Sequence, residues 1–263
     1  MSTCTSVTLQ HGLATITLER EAVHNAFDAA LIEELSTTLS ALESRTECRV
    51  LVLTGRGASF SAGADLNWMR SMMSASKVDN VNDSLKLAEL MRRLAYFPKP
   101  TIARVNGSAF GGGVGLIACC DIAIAADSAK FGLTESKLGL VPAVISPYVI
   151  DAIGARMSRR YFQTAEIFSA EKAREMGLLH EVVPAERLEL AVTAVVNNLR
   201  LAGPVALTQA KNLVQRVSGR TVAQQLDLDR QNAALIAGLR VSDEGQEGLS
   251  AFLEKRKPSW TLA

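Results

Sequence analysis

Apolar and polar positions alternate near the start of the chain and then settle into a longer period. Residues 6–9 and 13–18 alternate around His11-Gly12, which predicts a β-hairpin. Leu31, Ile32, Leu35, Leu39 and Leu42 then recur at helical spacing behind Asp28, a residue suited to an N-cap. Residues 50–53 form a short apolar run closed by Thr54-Gly55, the pattern of a buried strand. The polar, methionine-bearing stretch 71–83 shows no strong period and is expected to be a mobile wall. Residues 85–94 read as a helix that Pro98 and Pro100 close ahead of a strand at 101–105. A helix is expected over 113–119 and a strand over 122–125. Beyond Pro184 the pattern is almost wholly helical. The fold class read from this order is α/β followed by α.

Composition narrows the setting without deciding the chemistry. The 263 residues suffice for a sizeable core, and a formal charge of +1 favours neither nucleic acid nor an anionic membrane. No apolar stretch reaches membrane-spanning length, and the first residues show neither an Arg-rich leader nor an apolar signal region, so a soluble, cytoplasmic protein is expected. Cys4, Cys48, Cys119 and Cys120 lack metal-ligand spacing, and the three histidines are scattered, so no metal is expected. Adjacent Cys119 and Cys120 lie in an apolar run and read as core residues.

Two junctions carry the candidate chemistry. Gly111-Gly112-Gly113 precedes the helix expected at 113–119. Bare peptide N–H groups there, at the positive end of a helix dipole, suit a developing oxyanion. Phe60-Ser61-Ala62-Gly63-Ala64-Asp65 repeats the arrangement between the strand at 50–53 and an apolar helix start at Leu66-Asn67-Trp68-Met69. Two junctions supply two donors to one oxygen. Glu135 follows as a lone carboxylate among small and apolar residues. Each feature alone also fits a structural turn or a solvated loop; together they fit an enzyme that polarises a carbonyl and moves a proton beside it.

Ser61-Ala62-Gly63-Ala64-Asp65, the glycine triplet and Cys120-Asp121 resemble the crotonase (enoyl-CoA hydratase/isomerase) superfamily. His24-Asn25-Ala26-Phe27, residues 123–131 and the C-terminal 251–258 extend the likeness from about residue 6 to the end of the chain. The resemblance implies a spiral of ββα units over residues 1–198 and a helical trimerisation region over 199–263, with a hexamer of two trimers. It implies an acyl-CoA thioester as substrate, with no cofactor beyond the coenzyme A of that substrate. Ala64 and Gly112 match the two oxyanion donors, with Gly111 beside them, and Glu135 matches the group that exchanges a proton at Cα. His24, Ala26, Ala62, Asp65 and Leu66 match segments along the nucleotide and pantetheine cleft. Phe252 and Lys255 match a helix that in many members reaches CoA from a neighbouring subunit. Trp68 and Met69, with Met72 and Met73, suit an adaptable acyl pocket, although ordinary core packing fits them as well.

One departure bears on the reaction. Common hydratases carry a second Glu where this chain has Gly115. A single carboxylate is shared with the family's double-bond isomerases, and Gly115 is expected to leave room for a larger or branched acyl group. Residues 138–148 lack the Gly-Gly run of short-chain hydratases and resemble bacterial hydratases of 3-methylglutaconyl-CoA and isohexenylglutaconyl-CoA. Hydration of a branched, carboxylated enoyl-CoA is therefore expected, with Δ3,Δ2-isomerisation or other thioester chemistry as alternatives. Arg156, Arg159 and Arg160 are candidates for the distal carboxylate, and a solvated helix face is their alternative reading. A non-enzymatic RNA-associated role finds no basic stripe interleaved with aromatics.

Overall fold

The computed structural model describes residues 3–218 and 220–261. The expected hairpin is β1 (Thr5–Gln10) and β2 (Leu13–Leu18), antiparallel in direct register across His11-Gly12, both at positive φ. Helix α1 (Ala29–Glu43) follows. The Asp28 carboxylate accepts the Leu31 N–H at 2.8 Å, and the five apolar positions predicted for the buried face are its buried residues.

Three ββα turns then stack. In each, a long strand joins a first sheet, a three-residue strand joins a second, and helix follows. The units are β3 (Val50–Gly55), β4 (Ser59–Ser61), α2 (Leu66–Ser74) and α3 (Lys77–Ala95); β5 (Thr101–Val105), β6 (Ser108–Phe110) and α4 (Gly112–Cys119); and β7 (Ile122–Ala126), β8 (Lys130–Gly132) and α5 (Ser146–Thr164). Helix α5 is broken at Gly154, whose φ of 74° is not helical. β9 (Ile167–Ser169), α6 (Ala170–Met176) and β10 (Glu181–Val183) complete the spiral. The larger sheet runs β1-β2-β3-β5-β7-β10, parallel from β2 onward, and the smaller runs β4-β6-β8-β9.

The central strands are apolar throughout because both faces are covered. Leu51 and Leu53 face the main core with Leu35, Leu39 and Phe131, whereas Val50 and Val52 face Val192 and Val196 of α7 (Leu188–Leu201). Three further helices follow: α8 (Pro204–Ser218), α9 (Val222–Arg240) and α10 (Asp243–Leu253). The division expected after residue 198 falls inside α7. Helix α9 lies along α3, tied by an Arg92–Asp229 pair at 3.3 Å. Helix α10 folds back over residues 138–140, where Gly248 leaves no room for a Cβ beside the Leu138 carbonyl.

The stretch 71–83 is not the expected loose wall. It is the end of α2 and the start of α3, separated by Ala75 and Ser76. Ser76 caps α3 through Asp79 N–H, and fully buried Asn80 donates to the Met72 carbonyl at 2.9 Å. Capping and a buried amide supply the order that hydrophobic period does not announce.

Candidate active site

The two glycine-bearing junctions meet at one cavity of about 460 Å³. At the first, the backbone of Phe27 brackets Ala64: Phe27 N–H donates to the Gly63 carbonyl at 2.6 Å, and Asp65 N–H donates to the Phe27 carbonyl at 2.8 Å. The Ala64 N–H between them has no protein acceptor among the described residues. Gly63 has φ of 84°, and a Cβ there would stand 2.9 Å from the Phe110 carbonyl oxygen of the second junction, so the two turns touch.

At the second junction, Gly111 N–H donates to the Gly132 carbonyl at 3.0 Å, fixing the end of β6 on β8. Gly111 then turns at φ 47° into α4, and the Gly112 N–H at the helix start has no protein acceptor among the described residues. Two unpaired peptide donors from separate junctions thus border one space, with the α4 dipole behind one of them.

Glu135 opens a short 3-10 turn, Glu135–Leu138, after β8. A Cβ on Gly111 would lie 3.0 Å from Glu135 Oε1, so the carboxyl sits directly over the second donor turn. Its other oxygen, Oε2, is sealed from solvent and has no partner among the described residues. Burial raises this carboxyl from its ordinary 4.5 to about 7. Such a group takes and returns a proton near neutrality.

The cavity walls include Ala62, Trp68, Met69 and Met72 on one side, residues 140–145 opposite, and Phe252 from α10. Met73 turns instead to a groove beside Gln246 and Leu253. His24, Ala26, Asp65, Leu66, Gly115 and Lys255 lie outside this lining. His24 is exposed, with Nδ1 at 3.1 Å from Ser59 Oγ. Ala26 is buried, and its carbonyl accepts from Arg20 Nη1. Asp65 caps α2 through the Asn67 and Trp68 N–H groups and pairs with Arg20 at 3.2 Å. It holds the Ala64 turn rather than facing the space. Leu66 and Lys255 are exposed.

Gly115 does not open the pocket. A Cβ there would collide with Ile145, whose own Cβ would be 2.9 Å away, and would sit 3.3 Å from Met91 Cε. Ile145 occupies the room that the sequence assigns to a branched acyl group, and Ile145 itself lines the cavity. Phe252 lines the cavity of its own chain, because α10 folds back on residues 138–140. Arg156, Arg159 and Arg160 are exposed and away from the cavity, Arg160 pairing with Glu166 at 2.8 Å. The cation that does reach the cavity from within the fold is Arg240, at the end of α9. Its only sequence signal is a basic residue closing the apolar run 233–239.

Comparison with known proteins decides the family. The sequence profile described as enoyl-CoA hydratase/isomerase matches residues 8–262. The chain belongs to the enoyl-CoA hydratase/isomerase family. It is 33% identical to the 2,3-dehydroadipyl-CoA hydratase of Escherichia coli, over 97% of this chain and 97% of that protein. It is 35% identical to the 1,2-epoxyphenylacetyl-CoA isomerase of the same organism, over 96% of each. A crystal structure of an enoyl-CoA hydratase from Shewanella pealeana superposes with a TM-score of 0.80 at 45% identity, covering 98% of this chain and 96% of that one. The chain is an enzyme of this family, and its neighbours include both hydratases and an isomerase.

Proposed function

We propose that this family member hydrates a branched 2-enoyl-CoA carrying a second carboxylate, of the 3-methylglutaconyl-CoA or isohexenylglutaconyl-CoA type, with Glu135 as the single acid–base group. The observation that carries the reading is the unpartnered Glu135 carboxyl, held near neutral pKa over a turn that offers an unpaired peptide N–H. The 2,3-dehydroadipyl-CoA named for one relative is likewise a thioester of a dicarboxylic acid.

In this reading the Ala64 and Gly112 N–H groups hold the thioester oxygen. Glu135 takes a proton from water as the water oxygen bonds to Cβ, and the π electrons move toward the thioester, placing charge on that oxygen. The same proton then passes from Glu135 to Cα. One water is added and the carboxylate is regenerated. Donors aimed at the developing charge contribute on the order of a hundred- to a thousandfold each in rate. Ala62, Gly111, Trp68, Met69 and Phe252 shape the bound thioester, and His24, Ala26, Leu66 and Lys255 border the CoA outside the cavity. Asp65 orients the Ala64 turn. A trimer or hexamer belongs to the same reading, with exposed Leu213, Val214 and Val217 of α8 as an apolar face for it.

Isomerisation is favoured by one specific observation, the Ile145 side chain standing where a second carboxylate would have to fit. Turnover read by mass separates the two. Gain of one water by a glutaconyl-type thioester, lost in Glu135→Gln, is the expected result. Conversion of a 3-enoyl-CoA without mass change, and no hydration of any 2-enoyl-CoA, refutes hydration.

A further inference from the structure

The cavity walls are largely aliphatic and aromatic, yet a guanidinium is built into them. Arg240 reaches the lining from the last turn of α9, with its side chain only 14% exposed. The other cations on the lining differ. Lys137 is exposed, and Arg256 is an exposed group held by Glu247 and Glu254, each at 2.7 Å.

Arg240 is only half used by the protein. Its Nη1 faces Asn80 Oδ1 at 3.2 Å, Ser84 Oγ at 3.3 Å and Asp83 Oδ2 at 3.4 Å. Among the described residues Nε and Nη2 have no acceptor, and neither is sealed from solvent. The side chain is also fixed in place. Its guanidinium carbon lies 5.8 Å from the Trp68 ring centroid, and Trp68 Nε1 donates to Asp83 Oδ1 at 3.1 Å. The long contact to Asp83 is a poor return for desolvating two charges, because buried pairs need close, fully satisfied geometry. A second carboxylate on the free edge would complete the two-pronged arrangement for which a guanidinium is shaped.

We propose that Arg240 binds the distal carboxylate of the acyl chain through its Nε–Nη2 edge and so selects thioesters of dicarboxylic acids over neutral ones of equal length. This rests on the hydration reading for its substrate and names the residue that recognises the substrate's far end. Asn80, Asp83 and Trp68 act as positioning residues, holding the fork so that one edge faces the acyl space. A neutral tail would leave that edge facing apolar groups, which is how a polar site rejects an analogue lacking its partner.

The test uses binding as well as turnover. Affinities for saturated, unreactive adipyl-CoA and hexanoyl-CoA, and for glutaryl-CoA and pentanoyl-CoA, are measured by calorimetry on the intact protein. The wild type should favour the diacid of at least one pair by about tenfold or more. Arg240→Met should bring that ratio to about one, and Arg240→Lys, which keeps charge but loses the fork, should fall between. Asp83→Asn, which removes the competing carboxylate and keeps an acceptor for Trp68, should raise the ratio; it also tests the idea if Arg240→Met fails to fold. An unchanged ratio in Arg240→Met, no preference in the wild type, or a fall in Asp83→Asn overturns the proposal. Hydration of 3-methylglutaconyl-CoA, 2,3-dehydroadipyl-CoA and 2-hexenoyl-CoA is followed in parallel. If none is hydrated while the binding ratio behaves as stated, the hydration reading fails and the role of Arg240 stands.

Discussion

Glu135→Gln should do two opposite things: abolish turnover and stabilise the fold, the second only at higher pH. The carboxyl is raised from 4.5 to about 7 by burial, and Oε2 has no compensating partner among the described residues. For a group whose folded pKa is raised, the favourable contribution is complete below the unfolded value and is lost as pH rises through the folded value. Moving from pH 5 to pH 8.5 therefore costs the wild type about 2.5 kcal/mol at this one group, at 1.36 kcal/mol per pKa unit. Glutamine has the shape of the protonated form and no such dependence. For a chain of this size that difference is about 5–10 °C in Tm. Differential scanning fluorimetry of both proteins across pH 5 to 8.5 should show the curves diverging, with the variant higher at alkaline pH. A Tm difference that stays constant with pH would mean that Glu135 is solvated, and the proton-shuttle geometry would lose its basis.

Other expectations follow from the same contacts. With the Glu135 carboxylate as the proposed base, kcat/KM for hydration should rise with pH through an apparent pKa near 7; a flat profile between pH 5.5 and 8.5 refutes that role. Gly115→Ala should destabilise by about 1–3 kcal/mol through overpacking against Ile145, and Ile145→Ala in the same chain should recover part of it in chemical denaturation, since only the Cβ at 2.9 Å then remains in the way. Equal destabilisation of the single and double variants would show that the two side chains do not share a space. Asp65→Ala should cost about 1 kcal/mol as a lost cap and raise KM, since the Ala64 turn loses its anchor to α2 and Arg20; an unchanged KM would separate that turn from substrate binding.

Much of the fold was legible because its signals are local. Asp28 and the five leucine and isoleucine positions of α1 lie within one helix, and His11-Gly12 sets the first hairpin alone. The parallel strands announced themselves as unbroken apolar runs, since α7 covers the face that an open sheet would show to water. The pattern failed at 71–83, where order comes from Ser76 and from Asn80 bonded to three carbonyls, and neither residue contributes to hydrophobic period. The break of α5 at Gly154 also left no distinctive mark, because nothing lies near that glycine to require it.

The site divides along a similar line. Both donor junctions and Glu135 were readable, since each depends on short motifs whose backbone geometry is set by neighbouring residues. What fills the space between them was not. Gly115 implies a void only if nothing else enters it, and Ile145, thirty positions later in a different turn of the spiral, enters it. Ile145 thus fills from one turn of the spiral the volume that Gly115 leaves on the helix of another. Arg240 is illegible for a related reason: it borders the same cavity as Glu135 only because α9 runs back along α3, and its free edge is defined by acceptors it does not have. Residue identity fixes which groups can act, whereas the packing of distant elements fixes what they can act upon. In this chain the two donor turns and Glu135 are thus placed by nearby motifs, and the walls between them by contacts between elements far apart in the sequence.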